Sequence, residues 1–228
     1  MSDKPYDQYS KEDWSRFHKQ VAKDFKLPIQ LFDQSKFIYY IHLYNDLFDS
    51  AAKYNAALDA LYKFNSFSEF KSYLFGFTQM VIDHIKSKDD IYLLFQNSRP
   101  TKYPIETPNK NLFTEEFDGQ WLVTFDLKTA NYQVIRNGFP KLVDHTYTYE
   151  EFITSNFREY LGKILGYVLE SKYIRQVIFG NLLPKKQQID QHNVMTHVNN
   201  FLGSLNYNVV SHSHDAVTIS IKETDLYY

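Results

Sequence analysis

Two aspartates that follow strand-forming residues are the first candidates for chemistry. Asp126 ends the run "WLVTFD", and Asp215 lies in "SHSHDAVTI", where two β-branched runs indicate a hairpin with the aspartate at its tip. A carboxylate at the end of a buried strand costs free energy unless something compensates it, and a bound divalent cation is one common compensator. Two carboxylates can hold a pair of Mg²⁺ (or Mn²⁺) ions, which is the arrangement that nucleotidyl transfer requires. We therefore predict a metal site at Asp126 and Asp215.

A basic segment lies between the two aspartates in the sequence. The stretch "SKYIRQVIFGNLLPKKQQ" contains Lys172 and Arg175, whose charges could neutralise a triphosphate. Lys185 and Lys186 follow Pro184, and this pattern favours a solvated turn over a ligand site. The segment therefore indicates nucleoside triphosphates as substrates.

The first half of the chain has the pattern of packed helices. Between Ser10 and Lys86, apolar residues recur at helical spacing, and "SFSE" at 66–69 is a capping box that starts a long helix. Residues 91–95, "IYLLF", predict a short buried strand. The following loop contains Pro100, Pro104 and Pro108, and "LFTEEF-DG-QWLVTF" predicts a hairpin that turns at Asp118–Gly119.

The second half mixes helices with strands. A short helix should follow Asp126 and end near Gly138, and Thr148 with Glu151 forms a second capping box that opens a long helix with a break near Ser171. A helix over 187–202 and a terminal hairpin complete the pattern. The predicted fold class is α+β, with a helical N-terminal half followed by an antiparallel sheet with packed helices.

Composition limits the classes of function. The 228 residues contain no cysteine, so disulfides, thiolate zinc sites and cysteine nucleophiles are excluded. No HExxH, P-loop, dinucleotide fingerprint or nucleophile elbow is present. The formal net charge is −2, so contact with nucleic acid would need a local basic patch. No apolar run reaches the length of a membrane span, and we expect an intracellular, cytoplasmic protein without membrane contact.

Three stretches resemble motifs of template-dependent polymerases. "DLKTANYQVI" is similar to the first palm motif of reverse transcriptases and of single-subunit phage and mitochondrial RNA polymerases. "SKYIRQVIFG" resembles the fingers-helix motif of those RNA polymerases and of family A DNA polymerases. "SHSHDAVTI" resembles their third motif, although position 216 is Ala where a second acid stands in family A and in reverse transcriptases. The resemblance covers about residues 112–222.

The resemblance implies roles for particular residues. Asp126 and Asp215 would be the catalytic metal ligands, and the nucleotide and template strand would contact a further set of residues: Lys172, Arg175, Phe179, Gly180, Asn131 and Gln133. Because reverse transcriptases usually carry a bulky aromatic where this chain has Asn131, a ribose 2′-hydroxyl would fit. Residues 1–98 would form a thumb-like helical region and 99–228 a palm-like region with a fingers-like insertion at about 148–203. The order of thumb before palm matches the family A and RNA polymerase plan.

Other interpretations of the same residues stay open. Asp126 could cap the helix that follows it, and Asp215 could be an ordinary turn residue. His212 and His214 could form half of a zinc site with Asp215 or His197. The chain could also be a polymerase that needs a partner subunit, an inactive descendant of one, or a non-catalytic binding or scaffold protein whose aromatic helical half docks a partner.

Overall fold

A computed structural model describes residues 8–25, 27–28, 34–98, 112 and 114–222. The chain divides into two compact units, each made of two segments. Unit 1 comprises Met1–Lys88 and Thr146–Leu182, and unit 2 comprises Asp89–His145 and Leu183–Tyr228. The fold class is α+β, as predicted, because helices predominate and the described residues include a three-stranded antiparallel sheet.

Unit 1 is helical throughout its described residues. Short 3₁₀ turns at Gln34–Lys36 and Gly162–Ile164 connect some of the helices. In chain order the helices are α1 (Lys11–Asp24), α2 (Phe37–Leu43), α3 (Asn45–Phe48), α4 (Ser50–Leu61), α5 (Phe67–Lys86), α8 (Tyr149–Leu161), α9 (Leu165–Glu170) and α10 (Lys172–Gly180).

Both predicted capping boxes are present in unit 1. Ser66 Oγ accepts the backbone N–H of Glu69, and Thr148 Oγ1 accepts that of Glu151, each at 3.1 Å. Each glutamate carboxylate reaches back to a backbone N–H just before the cap, at 2.8 Å. The predicted break near Ser171 is also confirmed, because α10 begins there with the Ser171 hydroxyl as its N-cap. Local polar side chains thus fix where these helices start.

Aromatic rings fill the core of unit 1 and join its two segments. Tyr167 of α9 contacts Phe70 of α5 at 5.4 Å between ring centroids, and Phe157 of α8 contacts Phe77 of α5 at 5.8 Å. These four side chains are buried. Because each ring buries a large apolar area, the segment 146–182 contributes to the same core as the first five helices.

Unit 2 contains the sheet. Its elements in chain order are α6 (Asp89–Asn97), a 3₁₀ turn (Glu115–Phe117), β1 (Gln120–Asp126), α7 (Ala130–Gly138), a 3₁₀ turn (Pro140–Val143), α11 (Pro184–Ser204), β2 (Asn208–His212) and β3 (Ala216–Lys222). The strand order is β1-β3-β2, with both pairs antiparallel. The predicted short helix after Asp126, the long helix before the hairpin and the terminal hairpin are therefore confirmed.

One face of the sheet is covered by α11. Met195 and Leu202 of α11 form a buried cluster with Val217 and Ile219 of β3, and Leu127 packs against its margin. The opposite face is polar, and the Thr124 and Thr218 hydroxyls bond across the strands at 2.9 Å. The alternation of apolar and polar residues along β1 and β3 produces this division, because successive side chains in a strand point to opposite faces.

The predicted buried strand at 91–95 is wrong, because these residues lie in α6. Asp89 and Asp90 occupy the first turn, where acidic side chains stabilise the positive end of the helix dipole. Phe95 is buried, whereas Leu93 and Leu94 are exposed, which is the amphipathic pattern of a surface helix.

The predicted hairpin at Asp118–Gly119 is also wrong. The residues before the turn form the 3₁₀ turn Glu115–Phe117 instead of a strand. Asp118 has φ −62° and ψ 134°, and Gly119 has φ 70°, which are the angles of a type II turn. Tight hairpins need a type I′ or II′ turn, because type I and II turns twist the strands apart.

The two units do not follow the predicted linear division at residues 98 and 99. The predicted insertion at about 148–203 belongs to both units, since α8, α9 and α10 lie in unit 1 and α11 lies in unit 2. The proline-containing loop falls largely outside the described residues. In the described part of the chain, no helix combines the length and apolarity that crossing a membrane would need.

Candidate functional site

Asp126 and Asp215 lie at the same end of the sheet, Asp126 as the last residue of β1 and Asp215 in the turn just before β3. Asp126 is in register with Ala216, the residue that directly follows Asp215. The next two residues, Leu127 and Asp215, are joined by a hydrogen bond of 2.9 Å from the Leu127 N–H to the Asp215 carbonyl oxygen. The end of β1 and the β2–β3 turn are therefore tied together, so that the two aspartates, far apart in sequence, are one residue step apart across the sheet.

The Asp126 side chain is exposed, contrary to the expectation of a buried carboxylate. Since Leu127 packs toward the cluster under α11, strand alternation directs Asp126 to the opposite, polar face. Nor does Asp126 cap the following helix. The N-cap of α7 is Thr129, which makes no side-chain capping bond and has φ 53°. The described residues provide no hydrogen-bond or ion-pair partner for the Asp126 carboxylate, so it can bind a ligand without losing one.

Asp215 is held in the two-residue turn between β2 and β3. Ser213 and Ala216 close this turn, because the Ser213 N–H donates to the Ala216 carbonyl oxygen at 2.7 Å. The Ser213 hydroxyl lies 3.1 Å from Asp215 Oδ1, and His214 Nε2 lies 3.6 Å from the same oxygen. The side chain is 40% exposed, so Asp215 serves the turn and still presents a carboxylate oxygen to solvent.

The donor chemistry of these two residues fits Mg²⁺ or Mn²⁺. Magnesium prefers oxygen ligands, keeps several waters, and is commonly held by one or two carboxylates together with substrate phosphates. Among the described residues no group of three or more His, Cys, Asp or Glu side chains could hold a metal ion. A site at Asp126 and Asp215 would therefore be of the open type that substrate completes, and not a cage that binds metal tightly by itself.

The four nucleotide-binding candidates of α10 lie in unit 1. Lys172 is exposed at the first position of the helix, and Gly180 is half-buried at its last position. Arg175 is already engaged, with Nη1 3.8 Å from Glu150 Oε1 and its guanidinium over the Tyr149 ring at 5.3 Å. Phe179 has no exposed surface. A ring that stacks on a base must be accessible, so the structure gives Phe179 a core role instead.

Asn131 and Gln133 lie in the first half of α7, in unit 2 with the two aspartates. The Asn131 Oδ1 accepts a hydrogen bond from Gln191 Nε2 of α11, and Gln191 is buried. Tyr132 between them is fully buried. Asn131 thus links α7 to α11. A contact with a sugar would have to use the Asn131 amide N–H groups or the second lone pair of Oδ1, because Gln191 occupies the first.

The arrangement of the histidines differs from the one that the zinc hypothesis predicts. His212 at the end of β2 stacks on His192 of α11, with ring centroids 4.8 Å apart and an interplanar angle of 14°, and both rings are buried. His214 is exposed in the turn. Stacked parallel rings do not converge their nitrogens on one point, and this geometry favours packing over metal chelation.

Two polar features were missed by sequence reasoning. In unit 1, the fully buried carboxylate of Asp24 accepts hydrogen bonds from Gln20 Nε2 and the Tyr167 hydroxyl, and burial raises the pKa of Asp24 to about 7. In unit 2, Lys186 is not in a solvated turn. Its ammonium donates to the Ser98 carbonyl oxygen at 3.0 Å and lies over the rings of two phenylalanines, Phe95 and Phe139. The i,i+4 spacings Gln20–Asp24 and Lys186–Asp190 were local signals for these features.

Comparisons of the chain with models of known protein families, with curated proteins and with solved structures found no match. Support for any function therefore comes from the residues of this chain and their geometry.

Proposed function

We propose that unit 2 is a palm-type nucleotidyl-transfer unit, from a nucleic-acid polymerase or polymerase subunit, that uses Mg²⁺ or Mn²⁺ held by Asp126 and Asp215. One observation supports the proposal above the others. The register of β1 and β3 brings the end of one strand and the tip of the β2–β3 hairpin together, and each carries one of the two aspartates. Nucleotidyl transfer needs two carboxylates that can share a pair of metal ions, and two aspartates at one end of a sheet are candidates for this role.

The reaction would join a nucleoside triphosphate to a primer strand paired with a template. The primer 3′-hydroxyl attacks the α-phosphorus, the bond to the β-phosphate oxygen breaks, and pyrophosphate leaves. Bound metal ions would favour loss of the hydroxyl proton and neutralise charge on the leaving group. Asp126 suits this role because its carboxylate is exposed and has no partner to give up among the described residues. Asp215 suits it because the Ser213 hydroxyl orients its side chain.

The proposal is tested by metal binding and nucleotide incorporation in the same set of variants. Asp126→Ala and Asp215→Ala should each lower Mn²⁺ binding, measured by electron paramagnetic resonance, and lower incorporation on a primed template by about 10³-fold or more. Asp118→Ala is the matched control, since Asp118 is exposed near the opposite end of β1. The function would be excluded if the wild type bound Mn²⁺ no more tightly than the two variants and did not extend a primer.

A second candidate function is a non-catalytic binding or scaffold protein. Its support is an exposed apolar stripe on α2 and α3 of unit 1, where Tyr39, Leu43 and Leu47 are 62%, 55% and 75% exposed. Tyr39 and Leu43, four apart in α2, lie on one helical face, and exposed apolar faces of this kind are used to dock partner proteins. This stripe would be the docking surface of the helical half.

The two candidates make different predictions for Leu43→Asp combined with Leu47→Asp. A scaffold function predicts that a partner co-purified from the native host is lost from this double variant and retained by Leu93→Asp, which changes an exposed leucine of α6. A palm-type function predicts unchanged nucleotide incorporation in both proteins. Retention of the partner by the double variant would remove the stripe from consideration.

A further inference from the structure

Within residues 114–222 of the described chain, β1 is an edge strand of the sheet. Its one strand partner among the described residues is β3, which lies between β1 and β2. The Leu127 N–H points to β3, where it meets the Asp215 carbonyl, and backbone groups in an antiparallel ladder alternate in direction. Residues 121, 123 and 125 therefore also point to β3, whereas the backbone groups of 120, 122, 124 and 126 point outward. The described chain offers no other hydrogen-bond partner for these outward groups.

The two edges of the sheet differ in how they are protected. β2 is five residues long and contains a register shift between Val209 and Ser211, and short, bulged strands resist pairing with other chains. β1 is seven residues long and keeps a regular register throughout. Its sequence, QWLVTFD, contains no proline, lysine or glycine. Short length and a bulge, two features that block edge pairing, are thus present on β2 and absent from β1.

The sequence of β1 is complementary to itself about Val123. In an antiparallel pair of two β1 strands centred there, Trp121 of each copy faces Phe125 of the other, and Leu122 faces Thr124. Trp121 and Phe125 share one sheet face, and they are 57% and 42% exposed. They also fall at non-hydrogen-bonded positions of the new pair, where opposing side chains approach most closely and aromatic pairs contribute most.

We propose that this chain forms a symmetric dimer by antiparallel pairing of β1 with β1 of a second copy, which joins the two sheets into one of six strands. The outward backbone groups of 120, 122, 124 and 126 then all find partners in the second copy. The inference does not rest on the proposed function, although Asp126, the proposed metal ligand, lies at the end of the paired segment.

Charge and symmetry favour a second copy over an unrelated extended peptide. The one charged residue of β1 is Asp126, and in this register it faces Gln120, whose amide can donate to it, so that no like charges meet. The same two aromatic contacts occur twice because of the two-fold axis. The contact is small compared with stable interfaces, so we expect a reversible dimer with a dissociation constant on the order of 10 µM.

Sedimentation velocity of the full chain, from about 1 to about 200 µM, gives the first test. The wild type should shift from monomer to dimer across this range. Leu122→Pro should stay monomeric, because it removes an N–H that points outward while the β1–β3 hydrogen bonds remain. Trp121→Lys should also weaken the dimer at least 10-fold. Phe75→Lys is the matched control, since Phe75 is 74% exposed on α5, and it should dimerise like the wild type.

Cysteine cross-linking gives a second test that does not depend on how proline is tolerated. The natural chain has no cysteine, so one introduced thiol reports a single position. Val123 would face its own copy across about 4.5 Å between Cα atoms, which is within disulfide range. Val123→Cys should therefore form a covalent dimer under mild oxidation. Gln120→Cys should not, because the two copies of position 120 lie at opposite ends of the pair.

Each outcome decides the proposal. A wild type that remains monomeric over the whole concentration range overturns it. So does a dimer that persists in Leu122→Pro with an unchanged circular dichroism spectrum, or equal cross-linking of Val123→Cys and Gln120→Cys. If Leu122→Pro fails to fold, selective cross-linking through Val123→Cys decides for or against the pairing.

Discussion

Asp24 is the buried carboxylate whose protonation should govern the pH dependence of stability. Its pKa is raised by burial, and the Gln20 amide with the nearby charges of Lys23 and Lys71 offsets only part of that effect. An unfolded aspartate loses its proton near pH 4, whereas folded Asp24 keeps it to about pH 7. Between these values the folded state binds more protons, so stability falls as pH rises through the window.

Asp24→Asn should therefore stabilise the protein more at pH 8 than at pH 5. The asparagine can still contact Gln20 and Tyr167 but never carries a charge, and the gain at pH 8 is roughly 4 kcal/mol at most. Urea unfolding at the two pH values measures it, with Asp59→Asn on the exposed side of α4 as the control. An advantage that is equal at both pH values would mean that Asp24 is already ionised in the folded protein.

His18 should have the opposite effect on stability. Burial lowers the pKa of His18 to about 4, and its ring stacks on Phe37 with centroids 4.0 Å apart. The folded state therefore binds fewer protons than the unfolded state between about pH 4 and pH 6.5, and stability is lost as pH falls through this window. His18→Gln keeps a polar group near the Tyr54 hydroxyl, does not titrate, and should make urea unfolding less sensitive to acid. Equal sensitivity of variant and wild type would assign the acid lability to another group.

At the scale of elements, helix caps were predictable from nearby residues, whereas short apolar runs and contacts between distant segments mostly were not. The capping boxes and the terminal hairpin were predictable because their decisive contacts lie within a few residues. The strand prediction for "IYLLF" was wrong because a short apolar run fits a strand and a buried helix equally well. Asp89 and Asp90 before it favour a helix, because acidic residues stabilise the first turn. The Asp24–Tyr167 contact joins residues 143 positions apart, and no local pattern indicates it. The shared position of Asp126 and Asp215 was anticipated from their strand-end and hairpin-tip contexts.

Thr129 shows how an element boundary can carry strain. It precedes α7 with φ 53°, a left-handed conformation that a β-branched residue rarely adopts, and its side chain makes no capping bond. Thr129→Gly should raise the free energy of unfolding by about 1 kcal/mol, because glycine adopts this conformation without a steric cost.

The matched control for that change is Thr148→Gly. Thr148 is also a helix N-cap, but it has φ −127° and its hydroxyl accepts the Glu151 N–H. Its replacement should lower stability by a few tenths of a kcal/mol. Chemical denaturation of both variants measures the effects, and a loss of stability in Thr129→Gly would show that the conformation of Thr129 is not strained.

At the scale of the whole molecule, each compact unit is assembled from two separate segments. Segment 146–182 supplies Phe157 and Tyr167 to the core that α5 lines with Phe70 and Phe77. A fragment of residues 1–98, the predicted N-terminal region, therefore lacks part of its core, and removal of buried aromatics from a core costs several kcal/mol each.

A direct link of residues 1–88 to 146–182 by a Gly/Ser linker should give a helical protein with a cooperative thermal transition. The fragment 1–98 should lack one, because its aromatic core is incomplete. Circular dichroism melts of the two polypeptides compare them under the same conditions. A sharp transition in fragment 1–98 would show that the linear division describes an independent folding unit.

The strand order also determines when the sheet can form during synthesis. β3 is the central strand, yet it is translated after both strands that pair with it. Until the ribosome has released β3, β1 and β2 have no strand partner in this sheet. β1, with its Trp121 and Phe125 side chains, stays unpaired while α7 to α11 are synthesised. Unpaired, apolar strands of nascent chains are the segments that chaperones hold and that aggregate when they are not held. Slow translation between β1 and β3 should therefore reduce the yield of native protein more than slow translation after β3.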